Sequence, residues 1–327
     1  MDLHPLLAEL SDGAYHSGAK LGEALGISRA AIWKQVERLR EMGVEVHSVT
    51  GKGYRLPNAL GLLNGAEILH HLGDGAARWR DHIVVSFSTD STNADALRCS
   101  EGNTDSWLVL AEHQSQGRGR RGRTWVSPVG ANIYFSMGVA FDSGVAAMEG
   151  LSLVVGLALV RTLDEMGCYG AGLKWPNDIQ VEGKKIAGIL LEMSGDVTGP
   201  CRVIIGIGLN IRMPEGLAQE IGQPYTDLSS ELGELPNRNK IIAKLILQLD
   251  AALQQFRLQG FEPFKAEWES RDVNMGRLVE LSAGRNSVRG MVKGLTSTGA
   301  LCLETSQGES VFTGGELLPS LRAVSGE

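Results

Sequence analysis

The spacing of apolar positions divides the chain into three stretches. In residues 1–60, "HPLLAEL" carries one short amphipathic helix, Ser17 is placed to cap a second over "SGAKLGEALG", and Gly26 ends it. Ser28 then caps a third in "SRAAIWKQVERLREMG", where Ile32, Val36 and Leu39 share one face at helical spacing and Gly43 stops the helix. Two strand-like runs, "VEVHSV" and "YRLP", flank the glycine turn "TGKG". Two helices across a tight turn, followed by a β-hairpin, describe a winged helix-turn-helix.

Residues 65–272 mix both periods. "HIVVSF", "SWLVLAEH", "ANIYFSMGVAF", "IAGILLEM" and "CRVIIGIGLNI" predict strands; "STNADALRC", "VAAMEGLSLVVGLALVRTLDEMG", "NRNKIIAKLILQLDAALQQFRLQG" and the short "GFEPFKAEWESR" predict helices. Several strands follow one another with no helix between them, so a mixed sheet is expected and not a doubly wound one. Residues 274–327 carry short alternating runs, "RLVELSA", "SVRGMVKGL", "ALCLETS" and "SVFTG", which suit a small β-barrel. The fold class expected is α/β (α+β). The most apolar run, "LSLVVGLALV" at 151–160, is too short for a bilayer, which takes about 20 residues, and reads as a buried helix.

Composition narrows the function. The chain has 327 residues and a formal net charge of -7, which argues against a protein that coats nucleic acid or membrane. Within that acidic whole, the span from Arg29 to Arg55 holds six basic residues against three acids. Small residues opening the third helix suit a major groove about 12 Å wide. Ser28, Arg29, Ala30, Trp33 and Lys34, with Lys52 of the wing, are the candidates for DNA contact; a protein-interaction face with solvated charges is the alternative. Cys99, Cys168, Cys201 and Cys302 are scattered, with neither disulfide nor zinc spacing, and fit a reduced cytoplasmic setting. The N-terminus shows no secretion signal.

Three clusters carry candidate chemistry. The first is "QSQGRGRRGRTW", 114–125, whose inner run Gly117–Arg123 holds four arginines and three glycines. Four like charges so close favour a disordered, solvated segment and imply an anionic visitor, held by arginine side chains and the free N–H groups of a glycine-rich turn. The second is "KWPNDIQVEGKKIAGILLE", 174–192. It presents Asn177 and Asp178 at a strand end and places Lys185 at the opening of an apolar strand. Asp178 is a candidate Mg²⁺ ligand and Lys185 a partner for a carboxylate or phosphate; a plain hairpin with a solvated lysine pair explains the same residues. In the third, "DSTNADA", Ser91 or Thr92 caps a helix, and hydroxyls and an amide at that terminus also bind a polar ligand head. The chain has no P-loop, and "GIGLNI" lacks the third glycine of a dinucleotide fingerprint.

In that order and spacing, "STN", "QSQGRGRRGRTW", "KWPND", "GKKIAGIL" and "GIGLN" resemble the bifunctional bacterial biotin protein ligases and biotin operon repressors along nearly the whole chain. The resemblance implies a C-terminal barrel of SH3-like type and an enzyme that uses biotin, ATP and Mg²⁺. That enzyme forms biotinyl-5′-AMP and biotinylates a lysine of the biotin carboxyl carrier protein of acetyl-CoA carboxylase. It implies that Ser91, Thr92, Asn93, Gln114, Arg118, Gly119, Arg120 and Lys185 bind biotin, Lys185 and Arg120 being catalytic. Arg121, Arg123, Trp125, Asn177, Asp178, Asn210 and Tyr225 fall to the nucleotide, with Asp178 also toward magnesium. Operator DNA of biotin synthesis genes and a ligand-promoted homodimer are the other implied partners, and no membrane. "IAGILLEMS", 186–194, is the expected sheet edge for that dimer or for the carrier. The rival readings are a nucleic-acid visitor at the arginine loop and a lipoate or octanoyl transferase of related fold.

Overall fold

Side-chain caps set the first helices. In the computed structural model, which describes residues 2–100, 106–195, 199–283, 286–314 and 320–323, α1 spans His4–Leu10, α2 Gly18–Leu25 and α3 Arg29–Glu41. Ser17 Oγ accepts the Lys20 N–H and Ser28 Oγ the Ala31 N–H, at 3.2 and 3.1 Å. Leu6, Leu7, Leu10, Leu21, Ile32, Val36 and Leu39 bury together beneath the hairpin of β1 (His47–Val49) and β2 (Gly53–Arg55). The winged arrangement expected from the sequence is the one the chain adopts.

The central unit begins with α4 (Gly65–Leu72), β3 (Ile83–Thr89), α5 (Thr92–Ser100), β4 (Trp107–Gln114) and β5 (Ile133–Phe141). It continues with α6 (Leu151–Glu165), β6 (Ala171–Lys174), β7 (Asp178–Val181), β8 (Lys184–Gly195) and β9 (Cys201–Leu209). Two short helices, α7 (Ala218–Ile221) and α8 (Leu228–Leu232), lead to the long α9 (Arg238–Gln259) and to α10 (Lys265–Ser270). The strands form one sheet in the order β3-β4-β5-β9-β8-β7-β6, with β3–β4 parallel and the other pairs antiparallel. It is the mixed sheet the strand spacing predicts.

Alternation along β4 assigns the two faces: Leu108 and Leu110 join the large core with α6 and α9, while Val109 packs with Ala96 of α5 and Ile204 of β9. The apolar run at 151–160 lies inside α6 and is buried along most of its length. Among the described residues no helix is long and apolar enough to cross a membrane.

One expectation needs correction. The strand at 186–194 is not an edge along its length, because β8 lies between β9 and β7. Its ladder with β7 ends at Gly188, since β7 has only four residues; from Leu190 to Gly195 it is laddered on β9 alone.

The last unit is an antiparallel sheet of β10 (Leu278–Ala283), β11 (Asn286–Leu295), β12 (Leu301–Thr305), β13 (Gly308–Phe312) and β14 (Ser320–Ala323). Their order is β13-β12-β11-β10-β14.

Candidate active site

The floor of the site is a patch of sheet without side chains. Gly188 on β8 faces Gly208 on β9, and Gly206 pairs with Leu190 on one side and Ser136 on the other. A Cβ on Gly208 would strike the Trp125 indole, and one on Gly206 the Asn93 amide. Glycine therefore lets two planar groups lie flat against the backbone.

Above one end of this floor sits a cluster of hydroxyl and amide side chains. Ser91, Thr92 and Asn93 open α5 and are buried, at 4%, 3% and 5% exposure. Gln114 closes β4, and its Oε1 accepts the Thr92 N–H (2.9 Å) and the Thr92 hydroxyl (3.1 Å). Gln114 Nε2 donates to Ser127 Oγ at 3.1 Å. Ser136 Oγ lies 2.6 Å from Asn93 Oδ1 and 2.7 Å from Thr92 Oγ1; its single proton goes to the Asn93 oxygen, which can only accept.

The arginine loop is a closed hairpin, contrary to the disordered segment its charge implies. Gly119 N–H donates to Arg123 O at 2.7 Å, and Trp125 N–H to Gly117 O at 2.8 Å. At the tip, Arg121 (φ 62°, ψ 30°) and Gly122 (φ 69°) are both left-handed, the geometry of a two-residue type I′ turn. Repulsion is offset because the guanidinium groups diverge to separate acceptors. Arg118 pairs with Glu192 at 3.1 Å, Arg120 donates to Asn177 Oδ1 and to Gly314 O at 3.0 Å each, and Arg121 donates to Ser282 O at 2.9 Å. Burial pulls the Arg120 guanidinium below its usual range, and the Asp178 charge opposes that shift.

Opposite the loop, the Lys174–Asp178 turn contains a cis Trp175–Pro176 bond and a buried Trp175 whose indole donates to Gly299 O at 3.2 Å. Asn177 Nδ2 donates to Ile189 O at 2.8 Å, so its side chain is fixed between β8 and Arg120. Lys185 Nζ stands 2.6 Å from Asp178 Oδ1 and 5.4 Å from the Trp125 ring centre. Tyr225 forms a parallel bridge with Lys185, and Asn210 Nδ2 donates to Thr226 O at 3.0 Å. The cavity borders of Ser91, Thr92, Asn93, Gln114, Gly119 and Arg120 meet those of Trp125, Asn177 and Lys185. Arg121 and Arg123 are exposed at the loop, while Asp178, Asn210 and Tyr225 stand behind Lys185.

On the N-terminal unit, Ser28, Arg29, Ala30, Trp33 and Lys34 are exposed on the face of α3 opposite Ile32, Val36 and Leu39, and Lys52 is exposed in the wing. The Tyr15 ring centre lies 5.7 Å from Lys52 Nζ and 5.0 Å from the Arg55 guanidinium carbon.

Known proteins place this arrangement. Residues 85–210 match the biotin/lipoate A/B protein ligase family, residues 5–55 an HTH domain, and residues 275–317 a biotin protein ligase C-terminal domain. Over 320 residues the chain is 40% identical to the bifunctional ligase/repressor BirA of Escherichia coli, covering 98% of this chain and 97% of that one. The chain belongs to the bifunctional ligase/repressor family. It is also 36% identical to a biotin–[acetyl-CoA-carboxylase] ligase of Paracoccus denitrificans, over 70% of this chain and 97% of that protein. Among solved structures, the biotin protein ligase from Aquifex aeolicus in complex with biotin and ATP superposes with a TM-score of 0.63 at 29% identity, covering 75% of this chain and all of that one.

Several residues at the site escape sequence reasoning. Ser127, Ser136 and Glu192 join the polar cluster from distant strands and loops, with no local signal. Lys174 is half-buried near Asp178, Lys185 and Arg123, and burial holds its ammonium below the usual range; its place at the head of "KWPND" is the one available hint. Among the described residues no three or more His, Cys, Asp or Glu side chains converge on a metal position. Asp178 alone fits a magnesium ion that arrives with nucleotide, because such an ion keeps its waters and needs one or two carboxylates beside phosphate oxygens.

Proposed function

We propose that this protein is an ATP-dependent biotin protein ligase that forms biotinyl-5′-AMP, transfers biotin to a lysine of the biotin carboxyl carrier protein, and binds operator DNA of biotin synthesis genes as a repressor. One observation carries the reading: a cavity with a polar head pocket and a cationic mouth, joined along a glycine floor. A urea-like head offers donors and an acceptor to Ser91, Thr92, Asn93 and Gln114. Its apolar body lies on the glycines beside Trp125, with Arg118 and Gly119 covering it, and its carboxylate tail reaches Lys185 and Arg120.

At that mouth a carboxylate oxygen attacks the α-phosphorus of ATP. The acyl–O–P bond forms as the bond to the β-phosphate oxygen breaks, and pyrophosphate leaves with the electron pair. Lys185 and Arg120 offset the charge that gathers on the phosphoryl oxygens. Magnesium would supply further charge neutralisation at the phosphates, held by Asp178. Arg121, Arg123, Trp125, Asn177 and Asn210 border the nucleotide, and Tyr225 supports adenine. In the second step the carrier lysine amine attacks the acyl carbonyl and AMP departs, so no serine or cysteine nucleophile is needed.

We divide the work among residues 1–60 for DNA, 65–272 for catalysis and 274–327 as the third unit. Ser28, Arg29, Ala30, Trp33, Lys34 and Lys52 form the DNA face. The part of β8 laddered only on β9 supplies the edge for a ligand-promoted homodimer that sets two winged helices on two half-sites. The protein works in the cytoplasm. Intact mass of a carrier domain incubated with protein, ATP and biotin tests the enzyme: one biotinyl group on one lysine is expected. Modification with lipoate instead would favour the lipoate or octanoyl transfer reading.

A further inference from the structure

We infer that Glu192 is a positioning residue that couples recognition of the ligand's head group to closure of the arginine loop. The inference rests on the ligase reading above and names a residue that reading does not use.

Glu192 lies on β8 opposite Ile204 of β9. Strand alternation puts it on the same face as Gly188 and Leu190, which border the cavity. Its carboxylate serves two masters. Oε2 accepts from Asn93 Nδ2 at 2.7 Å and from Arg118 at 3.2 Å, while Oε1 stands 3.1 Å from the other Arg118 amine.

The first contact decides how Asn93 is presented. Asn93 Oδ1 accepts from Ser136 at 2.6 Å, and Nδ2 turns toward Glu192 and, more weakly, Leu190 O at 3.5 Å. With the amide reversed, its oxygen would face the Glu192 carboxylate and the Leu190 carbonyl, neither of which can donate. An anion at Glu192 therefore selects one of two amide orientations, flat over Gly206 where no side chain intervenes.

The second contact holds the loop. Arg118 is on its first leg, bridged through backbone to Thr124 on the second, four residues after Gln114 of the head pocket. Head pocket and loop thus share one negative charge. A loss of that charge loosens the head pocket together with the Arg118 leg that covers the ligand body, while Arg120 at the nucleotide end keeps its own bonds to Asn177 and Gly314.

Steady-state ATP–pyrophosphate exchange tests this on wild type, Glu192→Gln, Glu192→Asp, Asn93→Ala and the Glu192→Gln/Asn93→Ala double variant. Glu192→Gln keeps the shape and removes the charge. It is expected to raise KM for biotin on the order of tenfold, the scale of a hydrogen bond to a charged group. KM for ATP should stay within about twofold, and the double variant should be scarcely worse than the worse single one, because the two side chains act as a unit. Glu192→Asp, which keeps the charge, should recover part of the loss. Equal rises in both KM values, fully additive effects, no rescue by aspartate, or unchanged kinetics in Glu192→Gln would each overturn the inference. An absence of biotin-dependent exchange in wild type would instead defeat the ligase reading on which it stands.

Discussion

Two ion pairs in the central unit both draw on the sheet and differ in what they leave over. Arg238 and Glu112 are 4% and 0% exposed, and beyond their own pairing their bonds go to backbone. Arg238 donates to Gly61 O from Nε and NH2 (3.1 and 2.6 Å), to Asn132 O (2.8 Å) and to Glu112 Oε2 (2.8 Å). Glu112 Oε1 accepts the Leu63 N–H at 2.6 Å. Lys185 and Asp178 are 15% and 19% exposed and border the ligand cavity or stand just behind it. Lys185 has three N–H donors and gives one to Asp178 at 2.6 Å. A buried pair tied to backbone fixes the path of residues 61–63 between the N-terminal helices and the sheet. A pair with capacity to spare can exchange its partner for a carboxylate or phosphate.

The sharpest break between the two comes from Arg238→Ala. It strands Glu112 in a dry interior, and removing one partner of a buried pair costs about 3–5 kcal/mol. Denaturant unfolding should register that loss, and an unchanged midpoint would mean the pair does not anchor the fold. Lys185→Ala is expected to behave in the opposite way, with adenylate formation falling on the order of 10²–10³-fold. Its unfolding free energy should change by less than that of Arg238→Ala, because Lys185 and Asp178 keep some contact with water while Arg238 and Glu112 keep almost none.

Arg120→Gly removes the bonds to Asn177 and Gly314 that pin the loop from outside. Activated biotin should then escape and label bystander lysines; labelling confined to the carrier would contradict that role. The smallest effect is expected from Ser28→Ala, which deletes the α3 cap for about 1 kcal/mol. Operator titration should weaken in that variant while biotin transfer is unaffected.

Legibility in the sequence followed how local each cause is. Ser17 and Ser28 announce α2 and α3 because a cap acts within three residues. The four-residue strands β6 and β7 are too short to display a period, and α4 and β14 likewise were not read. At the site, Ser91–Asn93, Gln114, Arg120 and Lys185 stood out as contiguous motifs. Glu192 did not, since its partner Asn93 is 99 residues away and strand alternation gives a face but no neighbour. The arginine loop departs from its charge-based expectation for the same reason. Its acceptors, Asn177, Glu192, Ser282 and Gly314, come from four distant segments, and only the assembled fold brings them within reach.

Biotin-dependent ATP–pyrophosphate exchange, run side by side on wild type and a folded Lys185→Ala variant, tests most directly the claim that the cavity activates a carboxylate held between a polar pocket and a cationic mouth. Wild type should exchange with biotin and not with lipoate, and Lys185→Ala should lose that exchange while unfolding at nearly the same denaturant concentration. Exchange that ignores biotin, or a Lys185→Ala variant that matches wild type, would contradict it.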